Sequence, residues 1–95
     1  MNAPVTRPKF PLGQVVATQG VLAAIPQAEM MQALDRHIHG DWGEVDPEDA
    51  KANEISLVKG YRPLISTYTS SAGVKFWILT ESDRSATTLL LPEEY

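Results

Sequence analysis

The sequence predicts a two-layer α+β domain: a strand, two helices with a short lead-in, and a three-stranded antiparallel meander, with the helices on one sheet face. Two observations predict this class. Apolar residues recur every three or four positions in QAEMMQALDRHIHG, and the last third alternates β-branched or aromatic runs with Ser, Gly and Asp. Because 95 residues support only one small core, we expect an extended N-terminal arm over 1–11 and a single domain over 12–95.

The N-terminal elements are predicted from proline placement and β-branched residues. Prolines at positions 4, 8 and 11 favour an extended arm. The run LGQVVAT, residues 12–18, is typical of a strand with Val15 and Ala17 on one face. A short helical turn is expected from Val21 to Ile25, because Pro26 ends it and begins the next helix.

Two amphipathic segments are predicted to be helices. The first starts after Pro26 and ends at Gly40, and its buried face is expected to hold the periodic apolar residues Ala28, Met31, Leu34 and Ile38. The second runs from Pro47 to about Val58, with Asp46 as the capping residue and Gly60 as the stop.

The meander is predicted from LISTYT, VKFWILTE and ATTLLL, separated by SSAG and SDRS. Alternation in the middle strand places Phe76 and Ile78 on one face and Trp77 and Leu79 on the other. Both faces therefore carry large apolar residues. The face of Trp77 is expected to be partly covered or to meet a partner.

Charge and composition narrow the function classes. Twelve acidic residues against eight basic ones give a net charge of −4, which disfavours nucleic acid and anionic lipid as partners. The chain has no Cys and no apolar run long enough for a bilayer span, so we expect a cytoplasmic protein without membrane association or cofactor. An acidic cluster is either a solvated helix start or a surface for a basic partner; its members are Asp41, Glu44, Asp46, Glu48 and Asp49.

The segment HIHGDWG, residues 37–43, offers His37, His39 and Asp41 as metal ligands. Helix positions two apart point to opposite sides, so we expect no metal there and interpret both histidines as helix-end residues that favour the dipole. Trp42 is interpreted as a lid on the core, held between two glycines. The alternative is that Trp42 and His37 line a pocket.

The loop ESDRS, residues 81–85, joins the last two strands. We interpret it as a polar hairpin in which Asp83 satisfies turn amides and Arg84 lies at the surface. The alternative is a recognition cluster of Glu81, Asp83 and Arg84, extended by Arg62 and Tyr68.

Several of these residues could instead form a catalytic site. His37 or His39 would act as general base, and Glu81 as general acid or base. Arg62, Lys75 or Arg84 would stabilise an anionic transition state. The order of elements is also the topology of small RelE-like ribonuclease toxins, which makes a metal-independent ribonuclease or another small hydrolase the alternative function. No motif with fixed catalytic spacing accompanies this inventory, so the catalytic residues stay unassigned.

The strings HIHGDWGEV and KFWILTESDRSATTLLLPEEY resemble a small family of uncharacterised bacterial proteins common on plasmids and other mobile elements. Its members read G-D-W-G and then W-I-x-T-E-x-D-R-S-x-T-T-x-L-L-P-x-E-Y, and some are labelled type I restriction subunit M. This chain has no glycine-rich adenosylmethionine loop and no Asn-Pro-Pro-Tyr-like motif. The residues that match the pattern are His37, Gly40, Asp41, Trp42, Gly43, Trp77, Glu81, Asp83 and Arg84.

The resemblance implies an accessory protein of a mobile element. Together with the acidic balance and the absence of a catalytic motif, it leads us to expect a non-enzymatic protein that binds a protein partner and modulates host restriction or CRISPR defence. A homodimer is also compatible with this expectation. The expected binding residues are Asp41, Trp42, Arg62, Tyr68, Trp77, Asp83 and Arg84.

Overall fold

A computed structural model describes residues 7–95 and contains one mixed four-stranded sheet with helices packed against it. The elements are β1 (Gln14–Ala17), α1 (Gln19–Ala24), α2 (Gln27–Ile38), α3 (Pro47–Lys59), β2 (Leu64–Thr69), β3 (Lys75–Thr80), β4 (Ala86–Leu90) and a 3₁₀ turn (Pro92–Glu94). The strand order is β1-β4-β3-β2, with β1 parallel to β4 and the other pairs antiparallel. The predicted α+β class and the meander are confirmed.

The main core lies between α1, α2 and one face of the sheet. The register places Tyr68 opposite Phe76, and Ile78 opposite Leu89, so these side chains share a face. All four are buried and pack against the apolar residues of α1 and α2, including Val21. Burial of this face stabilises the fold by removing apolar surface from water.

The buried face of α2 differs from the prediction. The helix buries Met30, Ala33 and His37, while Met31 is 60% exposed. Of the four residues predicted for this face, Ala28 and Met31 are exposed, while Leu34 and Ile38 are half-buried and Leu34 packs against the core. The face is displaced because His37 takes a core position. A histidine whose ring nitrogens are both hydrogen-bonded can occupy a core position.

Helix α3 begins and ends close to the predicted bounds, and Gly60 at φ 69° closes it. Asp46 is the N-cap residue, as predicted, and Pro47 follows it, but the Asp46 side chain makes no capping hydrogen bond to any described residue. The buried side chains are polar. Asn53 donates to the carbonyl of Ile65 at 2.9 Å and accepts from its N–H at 3.2 Å, as a neighbouring strand would.

The segment between α2 and α3 runs along the outer edge of β2. Thr67 donates its N–H to the carbonyl of Trp42 at 3.1 Å, and its own carbonyl accepts from the N–H of Glu44 at 2.8 Å. Gly43 has φ 70°, and a β-carbon there would stand 2.0 Å from the Thr67 carbonyl oxygen. Only glycine therefore fits this close approach.

The described part of the predicted arm docks on the domain. Lys9 donates its N–H to the carbonyl of Ile38 at 2.7 Å, and Phe10 is buried against Trp42 and Leu64. Residues 1–6 of the arm lie outside the described residues. The following strand is shorter than predicted, since β1 covers only four of the seven residues expected.

Within residues 7–95, no helix combines the length and the apolar character that a membrane crossing requires.

Candidate functional site

A groove of about 320 Å³ opens on the sheet face opposite the main core. Alternation along β2 and β3 turns Ile65, Thr67 and Trp77 to this face, and α3 forms the far wall. We call it the Trp77 groove. Its lining residues are Glu44, Val45, Asp46, Asp49, Ala52, Asn53, Arg62, Pro63, Ile65, Thr67, Trp77 and Tyr95.

Two aromatic rings meet at one end of the groove. Trp77 is half-buried, and its ring lies edge-on to Tyr95 with centroids 5.5 Å apart and an interplanar angle of 63°. The 3₁₀ turn that carries Tyr95 is held by Glu94, whose carboxylate accepts from the Thr18 hydroxyl at 2.5 Å and the Leu91 N–H at 2.8 Å. The Thr18 hydrogen bond holds the pKa of Glu94 below its usual range.

The other wall of the Trp77 groove is acidic. Glu44, Asp46 and Asp49 line it, and Arg62 is the cation that lines it with them. Glu44 also accepts from the Thr69 hydroxyl at 2.9 Å. Carboxylates beside aromatic faces suit a cationic side chain with an apolar stem, because the charge pairs with the acids while the stem covers the rings.

Only some of the seven predicted binding residues lie in the Trp77 groove. Arg62 and Trp77 line the Trp77 groove, and the other five lie elsewhere. Sequence reasoning missed Tyr95 as a groove residue, although it noted the acidic cluster that supplies Asp46 and Asp49. The missing signal is long-range: a turn after β4 brings position 95 back over β3.

Asp41, Trp42 and Tyr68 form the joint between α2 and the sheet. Asp41 accepts from the Arg36 guanidinium at 2.7 Å, which lowers the pKa of its carboxyl, and its carbonyl accepts from the Tyr68 hydroxyl at 2.6 Å. Trp42 is buried, and its indole N–H donates to Glu54 at 2.7 Å. Trp42 thus lies in the core, as the lid interpretation expects.

Asp83 and Arg84 organise the β3–β4 hairpin. Asp83 accepts from the N–H of Ser85 at 2.9 Å, as the hairpin interpretation expects. Arg84 is half-buried rather than free at the surface: its guanidinium donates to the carbonyls of Ser56 at 2.7 Å and Ser82 at 3.1 Å. Arg84 adopts φ 62°, and this left-handed backbone turns it towards the last turn of α3.

His37 lies in the interior at the centre of a chain of hydrogen bonds. Its Nδ1 is 2.5 Å from the Ser66 hydroxyl, and its Nε2 is 2.9 Å from the Thr80 hydroxyl. The Thr80 hydroxyl is also 2.7 Å from the Thr87 hydroxyl, and the Thr87 hydroxyl donates to the carbonyl of Leu12 at 2.7 Å. The side chain of His37 has no exposed surface.

The donor and acceptor of each hydrogen bond in this series follow from its last acceptor, the Leu12 carbonyl. A carbonyl only accepts, so Thr87 donates to it and accepts from Thr80, which in turn accepts from the Nε2–H of His37. Burial lowers the pKa of His37 to about 4, so the ring is neutral and its bare Nδ1 accepts from Ser66. The expectation that His37 favours the helix dipole as a cation is therefore wrong.

His39 lies at the C-cap of α2, where its Nδ1 is 2.6 Å from the carbonyl oxygen of Asp35. Among residues 7–95, no group of three His, Asp or Glu side chains is arranged to hold a metal ion. His37 and His39 diverge, the first into the core and the second to the helix end. They do not act on a common atom.

No protein-family model, curated protein or solved structure matches this chain. Its function is therefore inferred from geometry and chemistry. Of the features above, the Trp77 groove is the one that combines open volume, aromatic surface and unbalanced charge. The His37 chain, the Asp41 joint and the Arg84 hairpin are explained by the contacts that hold the fold.

Proposed function

We propose that the protein is a non-enzymatic binding module whose Trp77 groove holds a basic segment of a partner protein. The observation that carries the proposal is the meeting of an aromatic pair and three carboxylates around one opening of about 320 Å³. A groove of this size has room for a few side chains of a partner. The net charge of −4 adds long-range attraction for a basic partner.

The two walls would act differently in binding. Trp77 and Tyr95 would supply apolar contact, and a buried aromatic anchor typically contributes about 2 kcal/mol or more when it is truncated. Glu44, Asp46 and Asp49 would attract Lys or Arg side chains and set the orientation of the segment. Affinity should therefore fall with added salt, because the acidic wall is open to solvent.

The wider role in this proposal comes from the resemblance to mobile-element proteins. In that setting the partner is a host or plasmid protein, and modulation of restriction or CRISPR defence is the consequence of binding it. The groove itself points to the chemistry of the contact, a basic segment with an apolar stem.

The ribonuclease alternative gains no support from the described residues. It assigns proton transfer to His37, which is enclosed and has both ring nitrogens engaged. It assigns charge stabilisation to Arg84, whose guanidinium is bound to main-chain carbonyls. Arg84 contacts Glu81 only at the main chain, where its N–H and its guanidinium donate to the Glu81 carbonyl at 2.8 and 3.3 Å, and no described hydrogen bond or ion pair joins either residue to the Glu81 carboxylate.

The test is capture of the partner from the source cells with matched charge variants. Asp49 and Glu48 both lie in the first turn of α3, but only Asp49 lines the groove. Asp49→Lys and Glu48→Lys therefore carry the same helix-dipole cost and differ in the groove alone. Trp77→Ala tests the aromatic wall, with thermal unfolding as the check that it is folded.

Support requires a partner that is retained by wild type and Glu48→Lys and lost by Asp49→Lys and Trp77→Ala. A photo-crosslinking residue in place of Tyr95 should attach to a Lys- or Arg-rich segment of that partner. Equal capture by Asp49→Lys and Glu48→Lys would overturn the groove as the binding site. RNA cleavage by wild type that His39→Ala abolishes would overturn the non-enzymatic assignment.

A further inference from the structure

The outer edge of β1 is open among the described residues. Gln14 and Thr18 donate their N–H groups to carbonyls of the β4 segment, each at 3.0 Å. Because backbone groups alternate sides along a strand, the N–H and C=O of Val15 and Ala17 point away from β4. Nothing within residues 7–95 pairs with them. Such an edge is a template for pairing with another strand.

The opposite edge of the sheet, along β2, has its backbone groups paired within the chain. Ile65 is paired by the Asn53 side chain, and Thr67 is paired by the main chain of Trp42 and Glu44. In the loop before β2, the hydroxyl of Ser56 donates to the carbonyl of Arg62 and accepts from its N–H. One edge is therefore completed by the chain itself, while the edge at β1 presents its backbone groups outward.

The chain segment around β1 is uncharged, and the carboxylate that lies beside it, Glu94, is hydrogen-bonded to Thr18 and Gly20. No charged residue occurs between Lys9 and Glu29, so β1, α1 and the start of α2 carry none. Charged side chains and proline are the usual protection of an exposed edge, and Gln14–Ala17 has neither. On a protein of net charge −4, this is a surface where two copies can meet with few like charges between them.

An apolar groove of about 450 Å³ adjoins the open edge on the helix side of the sheet. Val15 and Ala17 lie on that side because they pair with Thr87 and Leu89, which face the core. Leu22 and Met31 extend into the groove from α1 and α2, 59% and 60% exposed. We call the open edge and this groove together the β1 surface.

We propose that the β1 surface binds a second copy of this chain, with the two β1 strands antiparallel across a two-fold axis at Val16. In this register Val15 of one copy faces Ala17 of the other, twice, which forms about four backbone hydrogen bonds. The axis is normal to the sheet, so the two apolar grooves lie side by side on the same face. The result is one continuous eight-stranded sheet.

The size of the surface favours a partner that covers both parts of it. A stable interface buries about 800 Å² per partner, roughly an eighth of the 6054 Å² exposed by this chain. Four strand residues alone cover less than that, and a peptide paired with the edge would leave Leu22 and Met31 exposed. A second copy covers the edge and the groove together, because it brings an identical groove.

The first test is the mass in solution across a range of concentrations, by light scattering on a sizing column. Wild type should have twice the 10.4 kDa of the single chain. Val16→Glu places two carboxylates face to face at the axis and should give the single-chain mass. Val58→Glu, on an exposed residue of α3 away from β1, is the matched control and should remain a dimer.

The second test needs no variant. Amide hydrogen exchange of Val15 and Ala17 should slow by more than about tenfold as wild-type concentration rises, because these amides gain hydrogen bonds only in the dimer. The Val16 amide, which points to β4, should be protected at every concentration. A single-chain mass at 0.5 mM, or fast exchange of Val15 and Ala17 in the dimer, would overturn the proposal. So would a dimer that Val16→Glu leaves intact.

Discussion

Lowering the pH from 7 to 4 is expected to reduce the free energy of unfolding through His37 alone by about 3 kcal/mol. Burial lowers the pKa of His37 from 6.5 to about 4. Between those values the unfolded chain binds a proton that the folded chain does not, so stability falls as the pH falls. Each pH unit is worth about 1.4 kcal/mol, and the window spans about 2.5 units.

The hydrogen-bond chain explains why His37 resists the proton. In the folded protein Nδ1 accepts from Ser66, and protonation would replace that acceptor with a second donor. Protonation would also place a charge in the core without a carboxylate partner. Asp41 and Asp83, whose ordinary pKa is 3.8, lose their stabilisation mainly at still lower pH. Glu29 and Glu94, whose pKa is lowered from 4.5, begin to lose theirs at the acid end of the window in wild type and in the His37 variant alike.

The assay is urea unfolding, followed by tryptophan fluorescence, at half-unit steps from pH 8 to 4. His37→Gln retains a donor and an acceptor without titrating, so its curve should be flatter than wild type by about 3 kcal/mol over the window. His39→Gln, which removes the histidine at the C-cap of α2, is the control for a histidine substitution outside the core. A pKa near 6.5 for His37 in the folded protein, measured by NMR, would refute the reasoning.

Two further predictions concern joints of the fold, both read from urea unfolding. Gly43→Ala should lower the free energy of unfolding by about 3 kcal/mol or more, since its β-carbon would meet the Thr67 carbonyl; Gly73→Ala, at φ 81° in open space, should cost only about 1 kcal/mol. Equal costs would contradict the close approach. Arg84→Met should cost about 2 kcal/mol through the lost bond to the Ser56 carbonyl, and an unchanged midpoint would show that this bond contributes nothing.

The sequence was sufficient to predict the helices and strands, but not the contacts that their polar residues make. Alternation and turn chemistry located the meander to within a residue, because local preferences and burial agree there. In α2 they disagreed: His37 is a core residue only because Ser66 and Thr80 stand opposite it on the sheet. That pairing depends on register across a long stretch of chain, which a local pattern does not contain.

The same limit applies to the candidate site. Trp77 was identified because its strand carries apolar residues on both faces, and that signal is local. Arg84 was assigned to recognition or to the surface, since nothing in ESDRS indicates that α3 ends beside it. The strings G-D-W-G and D-R-S thus fall on joints that hold helices to the sheet.

The most direct measurement of the central claim is the affinity of the captured partner for purified variants, by isothermal titration at low and moderate salt. We expect Asp49→Lys to bind at least about tenfold more weakly than wild type, which is about 1.4 kcal/mol. Glu48→Lys should bind within about twofold, and the wild-type affinity should fall as salt rises. Equal affinities for the Asp49 and Glu48 variants would contradict a basic segment in the Trp77 groove.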